Sequence, residues 1–340
     1  MKKLMFMTSL LLFLLKPCMA MTIDKIIMFG DSLSDTGNVY ALTLAAHKII
    51  PQIPIIPKQP PYYQGRFSNG PVWVEAIASS MNVPLLNYAY AGSWAESIKD
   101  SKWNMPFGLN IQVDAYLTSA VLDFNKDKHL YIIWSGANDY IDGRDDPDYA
   151  TSNTVANIQA QIDSLAYHGA KHIAVINLPD VSVIPEVAAK GPDFAAAVSH
   201  LIKLHNLKLT EMLTEENKAY PDLQLINVDV ESHFNDILSD PARYQLKNVT
   251  QACYDGGYAL SGKKIDLTAA RAAKQINIDL EHSPSLRIAY LVSQARQFDQ
   301  QICPNPDEYL FWDQVHPTRV AHALISNYIL TALQENNVYS

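Results

Sequence analysis

Four clusters of polar residues in this 340-residue chain stand close behind apolar runs. In an α/β fold, strand ends deliver such side chains to one edge of the sheet. The first follows Lys25-Ile26-Ile27-Met28-Phe29, a β-branched run that reads as a buried parallel strand. It stops at Gly30, and Asp31-Ser32-Leu33-Ser34-Asp35-Thr36-Gly37-Asn38 is rich in helix-opening residues. A serine in a tight turn there would be exposed, and the N-terminal amides of the next helix would favour negative charge beside it. Those are the conditions of a nucleophilic serine. The second cluster, Asn87 to Ser93, ends on Gly92. That glycine serves backbone geometry, or lets its N–H approach a substrate oxygen with no Cβ in the way. The third, Ser135-Gly136-Ala137-Asn138-Asp139, reads on its own as a turn. The fourth is Asp313-Gln314-Val315-His316-Pro317-Thr318, where Pro317 keeps His316 on a loop ahead of a closing helix.

Together these runs resemble the GDSL (SGNH-hydrolase) lipases and esterases. Phe29 to Asn38 is similar to the first motif of that family, and Asn87 to Ser93 to its second, with Ala91 where glycine is frequent. Gly136-Ala137-Asn138-Asp139 is similar to the third, and Asp313 to Thr318 to the last. The resemblance implies that Ser32 is the nucleophile, His316 the general base and Asp313 its acidic partner. It implies an oxyanion hole made by the Ser32 and Gly92 backbone amides and the Asn138 side chain. The chemistry is coherent. A serine hydroxyl needs a base, imidazole has the right pKa, and a carboxylate fixes its tautomer. With Asp313 and His316 so close in sequence, one loop can present both to Ser32. No Gly-x-Ser-x-Gly elbow of the α/β-hydrolases occurs. His168 and His172 are the one His-x-x-x-His pair, but Gly169 stands where a zinc protease carries glutamate, so no metal or other cofactor is expected.

The positioning elements follow from periodicity. Apolar runs at 25–29, 84–89, 129–134, 172–178 and 223–228 read as strands. Helical patterns over 39–48, 71–81, 109–122, 153–168, 194–215 and 320–333 lie between and after them. This alternation implies a parallel sheet covered on both faces. The expected fold is thus a three-layer α/β/α sandwich with a five-stranded parallel sheet, the flavodoxin-like arrangement that the resemblance implies. From about 240 to 307 the alternation stops, apart from an expected helix over 285–298. The segment 49–63 carries five prolines among isoleucines and tyrosines. It is a packed structural flap or a contact surface for an oily ligand near Ser32. Gln64 to Trp73 reads as a turn and a helix start, although proline-tyrosine followed by Gly-Arg-Phe-Ser-Asn-Gly is similar to the secreted lipases of the family.

Residues 1–20 have the basic start (Lys2, Lys3), the apolar core and the small-residue end of a signal peptide. Cleavage near Ala20 would leave one domain, 21–340, interrupted by the 240–307 insertion. It would also leave 23 basic against 35 acidic residues, a formal charge of −12 that argues against nucleic acid and anionic lipid as electrostatic partners. Cys253 and Cys303 remain, and in an exported protein an even pair reads as a disulfide. Closing that loop contributes about 4 kcal/mol in the chain-entropy model.

The resemblance is greatest to the secreted bacterial branch of lysophospholipases, phospholipases A and glycerophospholipid:cholesterol acyltransferases. It implies a lipid or lysolipid substrate met at a membrane or micelle surface. A carbohydrate O-acetylesterase and a non-catalytic secreted binding protein are the other readings. The disulfide-bounded segment ends ten residues before Asp313. It is either a staple or a cover over the catalytic loop, which an extracellular protease would activate by nicking it.

Overall fold

The computed structural model describes residues 23–95, 107–259, 268–278, 283, 286, 289–290, 296–298 and 301–339. The expected signal peptide and most of the expected helix over 285–298 lie outside the described residues. In chain order the first half contains β1 (Lys25–Gly30), α1 (Asn38–Ile49), α2 (Trp73–Met81), β2 (Leu85–Asn87), α3 (Leu109–Ser119), β3 (His129–Trp134) and α4 (Pro147–Tyr167). The second half contains β4 (His172–Ile176), α5 (Pro185–Ala188), α6 (Pro192–Ala219), β5 (Gln224–Val228), α7 (Val230–Ser239), β6 (Asn248–Ala252) and β7 (Gly257–Ala259). It closes with α8 (Thr268–Gln275), β8 (Arg296–Phe298), β9 (Tyr309–Phe311) and α9 (Arg319–Glu335).

The five expected strands form one parallel sheet in the order β2-β1-β3-β4-β5. Side chains alternate across a pleated strand. Ile26, Met28, Leu130 and Ile132 therefore face a core shared with α2 and α9, while Ile27, Phe29, Tyr131 and Ile133 face one shared with α3 and α4. α6 is long enough to serve both, through Val198 and Leu201 near its start and Leu209 and Leu213 further on. α9 begins where Thr318 Oγ1 accepts from the Ala321 N–H (3.3 Å), and it buries Ala321, Ile325, Ile329 and Leu333 at helical spacing. This is the layered sandwich expected from the alternation.

Three expectations change. β2 stops at Asn87, not Ala89, because the carbonyls of Asn87 and Ala89 turn to the Asn38 side-chain amide (3.0 and 2.8 Å). α7 carries no signal read from the sequence, yet it starts directly after β5 with Asp229 accepting from the Ser232 N–H (3.2 Å). The expected helix over 285–298 does not hold at its end: Arg296–Phe298 is extended and pairs antiparallel with Gly257–Ala259.

The turn after β3 rests on α6 through a buried histidine. His205 Nδ1 meets the Tyr140 hydroxyl (2.9 Å), and a Cβ on Gly136 would touch the same ring at 3.2 Å. Burial pushes His205 down to about 3. An unfolded chain protonates this residue from about pH 6.5 downward, so acid binds to the unfolded state first. The stability that neutral His205 contributes is thus complete above pH 6.5 and declines as pH falls toward 3. His205→Gln should lose about 2 kcal/mol less stability than wild type between pH 7 and 4.5. Urea unfolding at the two pH values measures that difference.

Candidate active site

β1 ends on Gly30 because a Cβ there would lie 2.4 Å from the Trp134 carbonyl oxygen at the end of β3. The chain then folds into a turn. The Ser34 and Asp35 N–H groups donate to the Asp31 carbonyl (3.1 and 3.0 Å), and the Leu33 N–H donates to Asp31 Oδ1 (3.0 Å). Ser32 sits within this turn on the wall of a cavity. Burial raises the Asp31 carboxyl to about 6, against the opposing effects of the Leu33 N–H and of His316.

One sequence expectation fails here. The N-terminal amides of α1 do not serve Ser32. Asp35 takes them, with Oδ1 accepting from Gly37 (2.7 Å) and Asn38 (2.6 Å) and Oδ2 from Val39 (3.2 Å). Oδ2 also accepts from the Ala91 N–H (3.0 Å), so one buried carboxylate ties the serine turn, α1 and the Gly92 loop together. A helix start already saturated by a carboxylate cannot also hold an oxyanion.

β9 leads into the loop of Asp313 and His316. Asp313 Oδ1 accepts from the backbone N–H groups of Val315 (2.8 Å) and His316 (2.7 Å). Both carboxylate oxygens lie 2.9 Å from His316 Nδ1, and the Tyr62 hydroxyl donates to Oδ2. Burial works against the Asp313 charge, but the imidazole, Tyr62 and these amides hold its carboxyl below the usual range. With Nδ1 turned to the carboxylate, Nε2 is the ring atom free to carry a proton.

The other two predicted positions meet beside the serine. Gly92 is left-handed (φ 79°), and the Asn138 amide donates to the adjacent Ser93 carbonyl (2.9 Å). A primary amide has a second N–H to offer, so Asn138 can fix the Gly92 loop and still donate to a substrate. Ser32 and Asn138 line one cavity together with Val315 and Pro317, the neighbours of His316 on either side. The structure thus gathers Ser32, Gly92, Asn138, Asp313 and His316 at the C-terminal edge of the sheet. A serine, an oriented imidazole and donors around one cavity can carry out acyl transfer.

The sequence profile of GDSL-like lipases and acylhydrolases matches residues 26–329. The chain belongs to this GDSL family. It is 30% identical over 318 residues to a phosphatidylcholine-sterol acyltransferase of Aeromonas hydrophila, covering 92% of this chain and 90% of that protein. It is 27% identical over 316 residues to a thermolabile hemolysin of Vibrio parahaemolyticus, covering 91% of this chain but only 63% of the hemolysin. A GDSL esterase/lipase of Arabidopsis thaliana is 25% identical over 344 residues, with 89% and 80% covered. The GDSL enzymes act on ester bonds, which is the chemistry this edge of the sheet is built for.

Several residues of this GDSL site escaped the sequence reading. Gln112, from α3, accepts from the Gly30 N–H (2.8 Å) and donates to the Gly30 carbonyl (2.8 Å) and to Ser93 Oγ (2.9 Å). It locks the end of β1 to the Gly92 loop, and nothing local in the sequence marks it. Gly65 to Gly70 proves to be more than a turn. The Phe67 ring packs on His316 (5.1 Å), Ser68 Oγ donates to the Pro317 carbonyl (2.9 Å), and Asn69 Oδ1 accepts from the Arg319 N–H (2.7 Å). Arg66 grips Glu75 of α2 through two nitrogens (2.6 and 3.2 Å), which anchors the segment. The likeness to the family's Gly-Arg-Phe-Ser-Asn-Gly run was the available signal for this role.

The proline-rich segment resolves as a structural flap. Ile50, Ile53 and Ile56 are buried against α1 and α8 or against Tyr62 and Phe67, and none lines the cavity beside Ser32. Cys253 and Cys303 form the expected disulfide. The residues at its start lie against the chain leading into the Asp313–His316 loop, with the Cys253 and Tyr254 N–H groups donating to the Phe311 (3.0 Å) and Trp312 (2.6 Å) carbonyls.

Asn138→Ala should lower kcat by roughly 10²–10³-fold with KM nearly constant. Steady-state kinetics on a soluble ester measures this, and a rise in KM alone would assign Asn138 to substrate binding.

Proposed function

We propose that this chain is an exported esterase of lipids, a lysophospholipase A or phospholipase A, working through an acyl group carried on Ser32. Ser32 Oγ attacks the ester carbonyl carbon while its proton passes to His316, whose imidazolium is stabilised by Asp313. The oxyanion is held by the Ser32 and Gly92 amides and by Asn138. Collapse expels the alcohol, which takes the proton from His316. Water then repeats the cycle, losing its proton to His316 and releasing the fatty acid.

The observation that carries the lipid assignment is the cavity wall. Its three polar residues are Asp31, Ser32 and Asn138, and the remainder is apolar, including Leu33, Ile141, Ile184, Val230, Phe234 and Ile325. An apolar wall gains from acyl methylenes, each contributing about 0.8 kcal/mol when buried, and an acetyl group has none to offer. This disfavours a carbohydrate O-acetylesterase. The fully engaged Asp313–His316 pair disfavours a non-catalytic binding protein. The name of the Aeromonas relative adds an alcohol acceptor to the proposal: a sterol would compete with water for the acyl group on Ser32. Transient contact with a membrane or micelle surface follows from the substrate, and the signal-peptide pattern and the disulfide support export.

Release of fatty acid from lysophospholipids and phospholipids, and of acetate from acetylated sugars, tests the assignment. Lysolipid turnover should exceed acetyl-sugar turnover, and Ser32→Ala should lower kcat by at least about 10⁴-fold. Preference for the acetyl sugars would replace the lipid reading, and activity within tenfold of wild type would remove Ser32 from the mechanism. The proposal also includes activation by an extracellular protease acting between Cys253 and Cys303. Limited proteolysis, with cleavage mapped by mass spectrometry, should raise lysolipid hydrolysis in the same tube, whereas cleavage without gain reduces the disulfide to a staple.

A further inference from the structure

Asp313 receives four hydrogen bonds from its own loop, since Val315 N–H and His316 N–H reach Oδ1 and His316 Nδ1 reaches both oxygens. Among the described residues a single donor comes from elsewhere: the Tyr62 hydroxyl, 251 positions away, on Oδ2. Tyr62 is buried, and its ring is walled in by Phe67 (6.0 Å), Tyr254 (5.8 Å), Tyr258 (5.6 Å) and Trp312 (6.5 Å). The backbone that carries it is fixed as well, because the Lys58 N–H donates to the Tyr258 hydroxyl (2.7 Å) and the Tyr62 N–H to the Lys58 carbonyl (3.3 Å). Two of the four walls, Tyr254 and Tyr258, belong to the segment opened by Cys253. On the far side of the carboxylate, a Cβ on Gly257 would stand 3.1 Å from Asp313 Cβ.

We propose that Tyr62 is a positioning residue of the reaction, whose hydroxyl sets the orientation and charge of Asp313 and, through it, of His316. The proposal rests on the serine-hydrolase reading. Two oxygens share the negative charge of Asp313, and Oδ1 is held by backbone amides that cannot move without the loop. Among the described residues the donors to Oδ2 are His316 Nδ1 and Tyr62, so the hydroxyl decides whether the carboxylate stays in the plane that serves the imidazole. A donated O–H also withdraws charge from Oδ2. Without it a desolvated carboxylate would hold an imidazolium more tightly. Burial and the neighbouring Asp313 both keep the phenol protonated, so Tyr62 remains a donor throughout the working pH range. The proline-rich flap therefore meets Asp313 through this hydroxyl, and the disulfide-bounded segment helps to hold it there through Tyr254 and Tyr258.

Tyr62→Phe keeps the ring and its four walls and removes only the oxygen. On a short soluble ester, kcat should fall roughly tenfold with KM within about twofold, and the acid limb of kcat/KM should move up by about half a pH unit. The other ionisable groups facing the pair are Asp31 and His322 beside His316, and Tyr254 and Tyr258 beside Tyr62. All four are unchanged in the variant. In an Asp313→Asn background the same replacement should cost nothing further, because its effect passes through the carboxylate. An unchanged kcat and limb, or an equal loss in both backgrounds, would reduce Tyr62 to packing and overturn the proposal. If Tyr62→Phe folds poorly, 3,5-difluorotyrosine at position 62 retains the ring and strengthens the donor. It should shift the acid limb down, and an upward or absent shift would again overturn the proposal. Labelling by a fluorophosphonate accompanies each assay. Wild type that neither labels nor hydrolyses overturns the serine-hydrolase reading together with this inference, whereas labelled, active wild type with an indifferent Tyr62 overturns this inference alone.

Discussion

Carboxylates held out of water organise the working edge of this molecule. Asp31, Asp35, Asp139 and Asp313 are all buried at the C-terminal ends of the strands. An ion taken from water costs several kcal/mol unless hydrogen bonds replace its hydration. Here the replacements are mostly backbone N–H groups, which fixes loops as well as charges. Asp35 takes four of them and so joins the serine turn, α1 and the Gly92 loop. Asp139 takes the Ala95 N–H (3.0 Å) and a hydroxyl from Thr154 (3.4 Å), holding the Asn138 turn beside the same loop. Asp313 takes two amides, the imidazole and Tyr62. Parting any one of these carboxyls from its donors would release the loop it organises, so the geometry around Ser32 depends on hydrogen bonds standing in for water, although burial still raises the Asp31 and Asp35 carboxyls.

The sheet supplies the rigid part of this arrangement. Every strand of the main sheet is parallel to its neighbours, so all five deliver their C-terminal ends to one edge. β1 brings Ser32, the chain after β2 brings Gly92, and the turn after β3 brings Asn138. The fourth participant arrives differently. Asp313 and His316 hang from β9, outside the main sheet, and their loop is secured by Phe67, Ser68 and Asn69 and by the two amides after β6. The Asp313–His316 loop consequently depends on packing among segments far apart in sequence, whereas the Ser32 turn is closed by hydrogen bonds among its own residues 31–35 and tied outward by Asp35. The apolar cavity lies between these two supports. α7, which the sequence reading passed over, contributes Val230 and Phe234 to its wall.

The sequence by itself determined the sheet and, through the family motifs it carries, named the candidates for the reacting groups. Continuous apolar runs alternating with helical stripes leave little choice but a parallel sheet covered on both faces, because strands that are apolar throughout must be dry on each side. Ser32, Gly92, Asn138 and the Asp313–His316 pair were legible through the likeness to the GDSL motifs, since position alone left Gly92 and Asn138 as turn residues. Cys253 and Cys303 were legible through number and compartment. The tertiary structure alone decided which donors satisfy which acceptors. It gave the amides of α1 to Asp35 and not to an oxyanion, buried Ile50, Ile53 and Ile56 away from the cavity, and turned 296–298 into a strand. It also brought Gln112 to Gly30 across 82 positions and Tyr62 to Asp313 across 251. Local propensity cannot encode such pairings. A buried polar group is committed by whatever partner close packing brings within about 3 Å, and that partner is chosen by the fold as a whole.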